Sequence, residues 1–166
     1  SIYEKYPCVI FHMTDLPYGR GGSPLQNLIV QGHTETVVSA IQCVKELDAG
    51  PVYLKKPLSL LGSAEEIYIR ANKLIEEMIV EILRERPQPS VQVGEVISFQ
   101  RRKPEQGDWS NLESLEQVFD HIRMLDAEGY PPAFVKVGAF RLEFTRASLR
   151  TNCVHTDVKI IEERKE

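Results

Sequence analysis

The sequence predicts an α/β fold followed by a small antiparallel β subdomain. Three observations carry this. Apolar β-rich runs alternate with helical patterns as far as Arg84. A break at Pro87, Pro89 and Ser90 then interrupts them. Beyond it, Phe140, Leu142 and Phe144 alternate with Arg141, Glu143 and Thr145 at a period of two. These breaks divide the chain into residues 1–88, a hinge and helix at 89–132, and a β subdomain at 133–166.

Cys8 to Phe11 reads as a short buried strand. Ser23 followed by Pro24 is an N-cap with proline at the first helical position, and Gly32 closes that helix. Thr36 to Val44 is a β-rich run that ends at the acidic turn Glu46-Leu47-Asp48-Ala49-Gly50-Pro51, and Val52 to Leu61 is the next strand, with Lys55 and Lys56 near its exposed end. Ser63 and Glu66 form a capping box for a long helix through Arg84, with an apolar stripe of Ile67, Ala71, Leu74, Ile75, Met78 and Ile82. Ser110 and Glu113 are expected to cap another helix, carrying Leu112, Leu115, Val118, Phe119, Ile122 and Leu125, which Gly129-Tyr130-Pro131-Pro132 ends. Gly138 sits where a tight turn joins Phe134–Val137 to the alternating strand, and His155 to Ile161 supplies one more.

With 166 residues, 42% apolar and 27% charged, the chain can hold one domain or one and a half around a real core. No apolar run reaches membrane-spanning length, and no secretory signal opens the sequence. Cys8, Cys43 and Cys153 have no metal-ligand spacing. Two lie in strand-like runs, which reads as buried free thiols in a reducing cytoplasm. His33, His121 and His155 lack ligand spacing as well, so no metal is predicted. A net charge of −4 weighs against a large nucleic-acid surface, making nucleic acid a disfavoured partner.

Chemistry concentrates in Phe11-His12-Met13-Thr14-Asp15-Leu16-Pro17 and Arg20-Gly21-Gly22-Ser23-Pro24. His12 ends an apolar strand just before a Pro/Gly-rich loop, and Asp48 lies in a turn between two strands. Strand mouths in an α/β sheet are where ligands and chemistry gather. Asp48 by itself is ordinary turn chemistry. Arg20 either holds an anionic substrate group or pins its loop to a carboxylate. Arg101-Arg102-Lys103 is the densest basic cluster and reads first as a solvated hinge, and Trp109 reads as packing.

His12, Leu16-Pro17, Arg20-Gly21, Pro24 and Gln26, followed by Leu47-Asp48 and Gly50, together resemble the folate-dependent formyltransferases, which include methionyl-tRNA, glycinamide ribonucleotide and amino-sugar enzymes. Phe99-Gln100-Arg101-Arg102-Lys103-Pro104-Glu105-Gln106-Gly107-Asp108-Trp109 is similar to the hinge after their catalytic domain. The resemblance covers most of the chain but implies only the back half of a Rossmann-like catalytic domain, within residues 1–88. The β tail resembles the start of a following barrel. The front half, with its phosphate-gripping glycine loop, is expected to lie outside this chain, whose first strand would be a central strand of a parallel sheet.

What the resemblance implies is N-formyl transfer from 10-formyltetrahydrofolate through a tetrahedral oxyanion. His12 would be charged or hydrogen-bonded toward that oxygen, and Asp48 would favour the cationic imidazole and take the amine proton. Lys45, Glu46 and Leu47 would line the pterin pocket through backbone groups, and Thr14, Arg20 and Gly21 would serve substrate or loop. The resemblance also places an asparagine, an oxyanion donor, where this chain has Ile10. Loss of such a donor costs about 3 kcal/mol. Thr14 is the nearest substitute in sequence.

The sequence therefore predicts a formyltransferase acting on a small amine, foremost a nucleotide-linked amino sugar, with a homodimer possible through the β tail. The alternatives are a methionyl-tRNA formyltransferase-like enzyme, a folate-hydrolysing relative, and a non-catalytic folate or nucleotide-sugar binder, which Ile10 favours.

Overall fold

The computed structural model describes residues 1–163, so the last three residues of the expected β subdomain lie outside the described part. After helix α1 (Ile2–Lys5), strand β1 (Val9–His12) pairs with β3 (Glu35–Gln42), and β3 pairs with β4 (Val52–Ser59). Both pairings are antiparallel, with His12 opposite Ser39 and Ile10 opposite Ile41. The connection from β1 to β3 contains strand β2 (Tyr18–Gly21) and the seven-residue helix α2 (Pro24–Val30).

Val38, Ser39, Ala40 and Ile41 in β3 are buried consecutively, which matches a strand covered on both faces. Helix α3 (Ala64–Glu85) covers one of them. Its N-terminus is closed by the predicted capping box: Ser63 Oγ accepts from the Glu66 amide, and Glu66 Oε2 accepts from the Ser63 amide. Such a cap contributes about 1 kcal/mol. Ile67, Ala71 and Met78 are fully buried, and Leu74, Ile75 and Ile82 pack against the same core. Each large side chain so buried contributes about 1.5–3 kcal/mol.

Ser23 does not cap α2 as expected. It is left-handed, with φ 50°, and its hydroxyl instead accepts from the Arg102 amide at 3.0 Å. Asn27 Nδ2 donates to the carbonyls of Gly22 and Gln100, so the start of α2 is stapled to the hinge 79 residues downstream. A two-stranded parallel sheet of β2 (Tyr18–Gly21) and β5 (Ile97–Phe99), absent from the sequence reading, makes the same connection.

After the 3-10 turn Pro104–Gly107, helix α4 (Leu115–Arg123) begins at Ser114 rather than Ser110. Ser114 Oγ accepts from the Gln117 amide. The Ser110 amide donates instead to Asp108 Oδ1, a contact that holds the Asp108 carboxyl below its usual range. Leu112 therefore lies outside the helix. The helix also ends well before Gly129, because the Met124 carbonyl is taken by Gln26 Nε2 and Arg123 is anchored to the carbonyls of Leu60 and Gly62.

Strands β6 (Ala133–Val137), β7 (Phe140–Arg150) and β8 (Cys153–Glu162) form an antiparallel meander, with Gly138 at φ 61° in the first turn. Ala133 and Phe144 join Ile122 and Met124 in the same apolar cluster as Leu25 and Ile67, so the meander packs on the α/β part and shares its core. Trp109 packs edge-on to Phe144, with ring centroids 5.1 Å apart. All three cysteines are free. Cys8 and Cys43 are half-buried rather than buried, and Cys153 is exposed. No helix among the described residues is long and apolar enough to cross a membrane.

Candidate active site

Strand β1 delivers His12 at its last residue, where side-chain alternation puts it on the same face as Ile10. His12 is 8% exposed, and its Nε2 lies 2.8 Å from the Gly19 carbonyl oxygen. A carbonyl can only accept, so Nε2 carries the hydrogen and Nδ1 is the free nitrogen of the neutral ring. That free nitrogen faces Asp48 Oδ2 at 3.7 Å, beyond hydrogen-bond length.

Asp48 is held from two sides. The Gly21 amide donates to its Oδ2 at 2.9 Å, and Gln92 Nε2 donates at 2.8 Å to the carbonyls of both Asp48 and Gly50. The turn itself is tight. Asp48 has φ 51°, a left-handed conformation that aspartate tolerates. A Cβ at Gly50 would sit 1.7 Å from the Gln42 carbonyl oxygen, so only glycine fits there. Asp48 Oδ1 makes no hydrogen bond within the described residues, which leaves it and His12 Nδ1 as the two open proton acceptors at the site.

The structure thus brings His12, Asp48 and Gly21 together. Arg20 Nε and Nη2 donate to Gln92 Oε1 at 3.1 and 2.7 Å, so it pins its loop to a neutral side-chain amide where a carboxylate was expected. Thr14 is fully buried, and its hydroxyl points at the Gly19 carbonyl at 3.4 Å. It is closed to a substrate, which removes it as a stand-in for the missing asparagine. Ile10 is 36% exposed on the His12 face and offers no donor.

Lys45, Glu46 and Leu47 form an exposed bend leading into Asp48, with Leu47 73% exposed. Within the described residues, the backbone groups of Val44, Lys45 and Leu47 have no hydrogen-bond partner. Free backbone donors and acceptors beside an exposed apolar side chain fit the edge of a pterin ring, so this bend suits a folate.

Sequence reasoning missed Gln92, Gly19 and Lys55. Gln92 lies in the Pro-rich break, where nothing local distinguishes it. Lys55 Nζ fastens the loop by donating to Asp15 Oδ1 and the Leu16 carbonyl. No group of three histidine, cysteine, aspartate or glutamate side chains converges as a metal site among the described residues.

Comparison with known proteins identifies the family. A family model for the C-terminal domain of methionyl-tRNA formyltransferase matches residues 104–161. A methionyl-tRNA formyltransferase from Clostridium thermocellum superposes with a TM-score of 0.95 at 54% identity, over 97% of this chain and 71% of that one. The chain belongs to the formyltransferase family. Within that family, the methionyl-tRNA formyltransferase of Geobacillus sp. (strain WCH70) is 30% identical over 130 residues, which is 73% of this chain and 40% of that protein. The chain spans between 40% and 50% of the length of three such curated formyltransferases. HypX from Aquifex aeolicus, solved in complex with tetrahydrofolic acid, shares the fold with a TM-score of 0.69 at 20% identity, over 88% of this chain and 26% of that one.

Proposed function

We propose that this chain carries the catalytic pair of an enzyme that transfers a formyl group from 10-formyltetrahydrofolate to the amino group of methionyl-tRNA. The observation that carries the reading is the approach of Asp48 to the free Nδ1 of His12, in a chain 54% identical to a protein of that name. Residues 1–88 would supply the back half of the catalytic domain, 89–132 the hinge and its helix, and 133–166 the β subdomain.

When bound, 10-formyltetrahydrofolate supplies the formyl group. Lys45, Glu46 and Leu47 would hold its pterin through backbone groups, of which those of Lys45 and Leu47 are open among the described residues. An amine gaining that group must lose a proton, and Asp48 Oδ1 or His12 Nδ1 takes it. The Gly19 carbonyl keeps the other ring nitrogen occupied, so proton traffic is confined to the side of the imidazole that faces Asp48. Once protonated, Nδ1–H is a donor for developing negative charge on oxygen. Gly21 fixes the carboxylate, while Thr14 and Arg20 set the loop geometry through Gly19 and Gln92.

The acceptor favoured by sequence alone, a nucleotide-linked amino sugar, gives way here to methionyl-tRNA because of the similarity at the hinge and tail. The charge argument against a nucleic acid covers only the part of the protein that this chain represents. The test is tetrahydrofolate release by the full protein, offered either methionyl-tRNA or a panel of nucleotide-linked amino sugars. Release that depends on methionyl-tRNA is expected. Release that depends on a sugar overturns the acceptor, release with no amine points to a hydrolase, and folate binding with no release points to a non-catalytic binder.

A further inference from the structure

Cys8 and Cys43 face each other at the end of the antiparallel β1–β3 pair. Val9 lies opposite Gln42, so the next rung outward sets Cys8 opposite Cys43. The Cys43 amide donates to the Cys8 carbonyl at 2.8 Å, which makes this a hydrogen-bonded rung. Residues directly opposite in a sheet project to the same face, and by alternation along β1 that is the face of Ile10 and His12. Both thiols are free and half-buried. The Cα atoms of such a rung lie about 5.5 Å apart, inside the range that a disulfide spans. Its Cβ atoms lie about 5 Å apart, against about 3.8 Å in a disulfide, so closing the bond draws the two chains together by about 1 Å.

The surroundings decide which chain gives way. Gln42, just before Cys43, is fixed: its amide donates to the Pro51 carbonyl at 2.9 Å, and Gly50 is fitted against its carbonyl oxygen. Cys43 itself lies beyond the end of β3 and opens the stretch Val44-Lys45-Glu46-Leu47 that leads into Asp48. The backbone groups of Val44, Lys45 and Leu47 have no hydrogen-bond partner within the described residues. A segment so weakly tied moves before a hydrogen-bonded ladder does, so the bend takes up the closure. Cys153 stands apart from the pair. It is exposed in the meander, opposite Arg150.

We propose that Cys8 and Cys43 are a redox-responsive pair that glutathione disulfide converts to a disulfide, drawing the bend before Asp48 toward β1. One protein thiolate attacks a sulfur of glutathione disulfide, forming a mixed disulfide and releasing one glutathione. The thiolate opposite then attacks the protein sulfur of that mixed disulfide, forms the Cys8–Cys43 bond and releases the second glutathione. The two protein thiols lose two electrons and two protons, which leave as the two glutathione thiols. Because the bend carries Lys45, Glu46 and Leu47 into Asp48, the oxidised form holds the folate edge and the acid away from their working positions beside His12. That consequence rests on the functional reading above. The linkage itself does not.

The test is to incubate the full protein with glutathione disulfide, block the remaining thiols with iodoacetamide and map the unreduced peptides by mass. A peptide linking Cys8 to Cys43 is expected, and dithiothreitol should remove it. The oxidised protein should transfer formyl groups about tenfold or more slowly, since a shift of about 1 Å at a reacting site costs that much, and dithiothreitol should restore the rate. Cys8→Ser and Cys43→Ser should each abolish both the link and the sensitivity to oxidant while keeping the reduced rate. Cys153→Ser should change neither. No linked peptide, glutathione retained on either cysteine without a link, or a link to Cys153 overturns the pair. A Cys8–Cys43 link with an unchanged rate overturns its hold on the bend. Failure of the reduced protein to transfer formyl groups would sink the functional reading alone, and the linked peptide together with the tetrahydrofolate affinities of the two forms would then decide this one.

Discussion

The Gly21 amide donates to Oδ2 of Asp48 at 2.9 Å, and the same oxygen faces His12 Nδ1 at 3.7 Å. One backbone N–H thus decides which carboxylate oxygen faces the imidazole and which is left open. Gly21 is also the one residue type its position accepts: φ is 106°, and an added Cβ would lie 2.4 Å from the Phe99 carbonyl oxygen. Gly21→Ala is expected to destabilise the protein by at least about 1–3 kcal/mol and to lower turnover. A urea midpoint equal to that of the wild type would show that the loop accommodates the methyl group.

Substituting the acid and the base should separate chemistry from folding. His12→Ala and Asp48→Asn are each expected to cut the formyl-transfer rate by about 10²–10⁴-fold with little change in thermal midpoint. Wild-type rates in both variants would remove the pair from the mechanism.

Gln92 predicts a coupled effect. Its amide accepts from Arg20 and donates to the carbonyls of Asp48 and Gly50, so Arg20 reaches the acidic turn only through it. Gln92→Ala should cost about 1–3 kcal/mol and lower activity. Arg20→Ala added to it should cost little more. A double-mutant cycle in urea measures this, and fully additive losses would mean that Arg20 acts independently.

Ile10 offers a gain rather than a loss. It shares the His12 face of β1 and is 36% exposed, so a polar side chain there is not forced into the core. Ile10→Asn supplies the donor that the family resemblance places at this position. It is expected to raise the rate at least about tenfold. An unchanged or lower rate would indicate that this site stabilises charge by another group.

His121 predicts a pH dependence of stability. Burial lowers its pKa first and Arg102 second, while the backbone carbonyls of Gln106 and Gly107 and the Asp108 carboxylate oppose them. The unfolded chain therefore binds this proton more readily than the folded one. The stability His121 contributes is present above about pH 6.5 and is lost as the pH falls below it. Thermal midpoints from about pH 7.5 down to about pH 5 should fall more steeply for the wild type than for His121→Asn. Parallel curves would show that other groups dominate.

Local chemistry announced much of this architecture. The capping box at Ser63 and Glu66, the stripe from Ile67 to Met78 and the alternation from Phe140 to Thr145 each depend on residues within a turn or a strand of one another, so their physics is legible in order along the chain. His12 and Asp48 were visible as a motif at a spacing. The start of α4 was misplaced by four residues because Ser110 and Ser114 are both good caps. The choice fell to Asp108, which engages the Ser110 amide. What only tertiary structure decided are the contacts between segments far apart in sequence: the antiparallel return of β3, the β2–β5 pair, and Gln92 reaching back to the carbonyls of Asp48 and Gly50. It also decided that Thr14 is sealed in, and that the free imidazole nitrogen is the one facing the acid, because the Gly19 carbonyl occupies the other. A side chain's identity fixes what it can donate or accept, and the fold alone fixes which of its atoms remain free to do so.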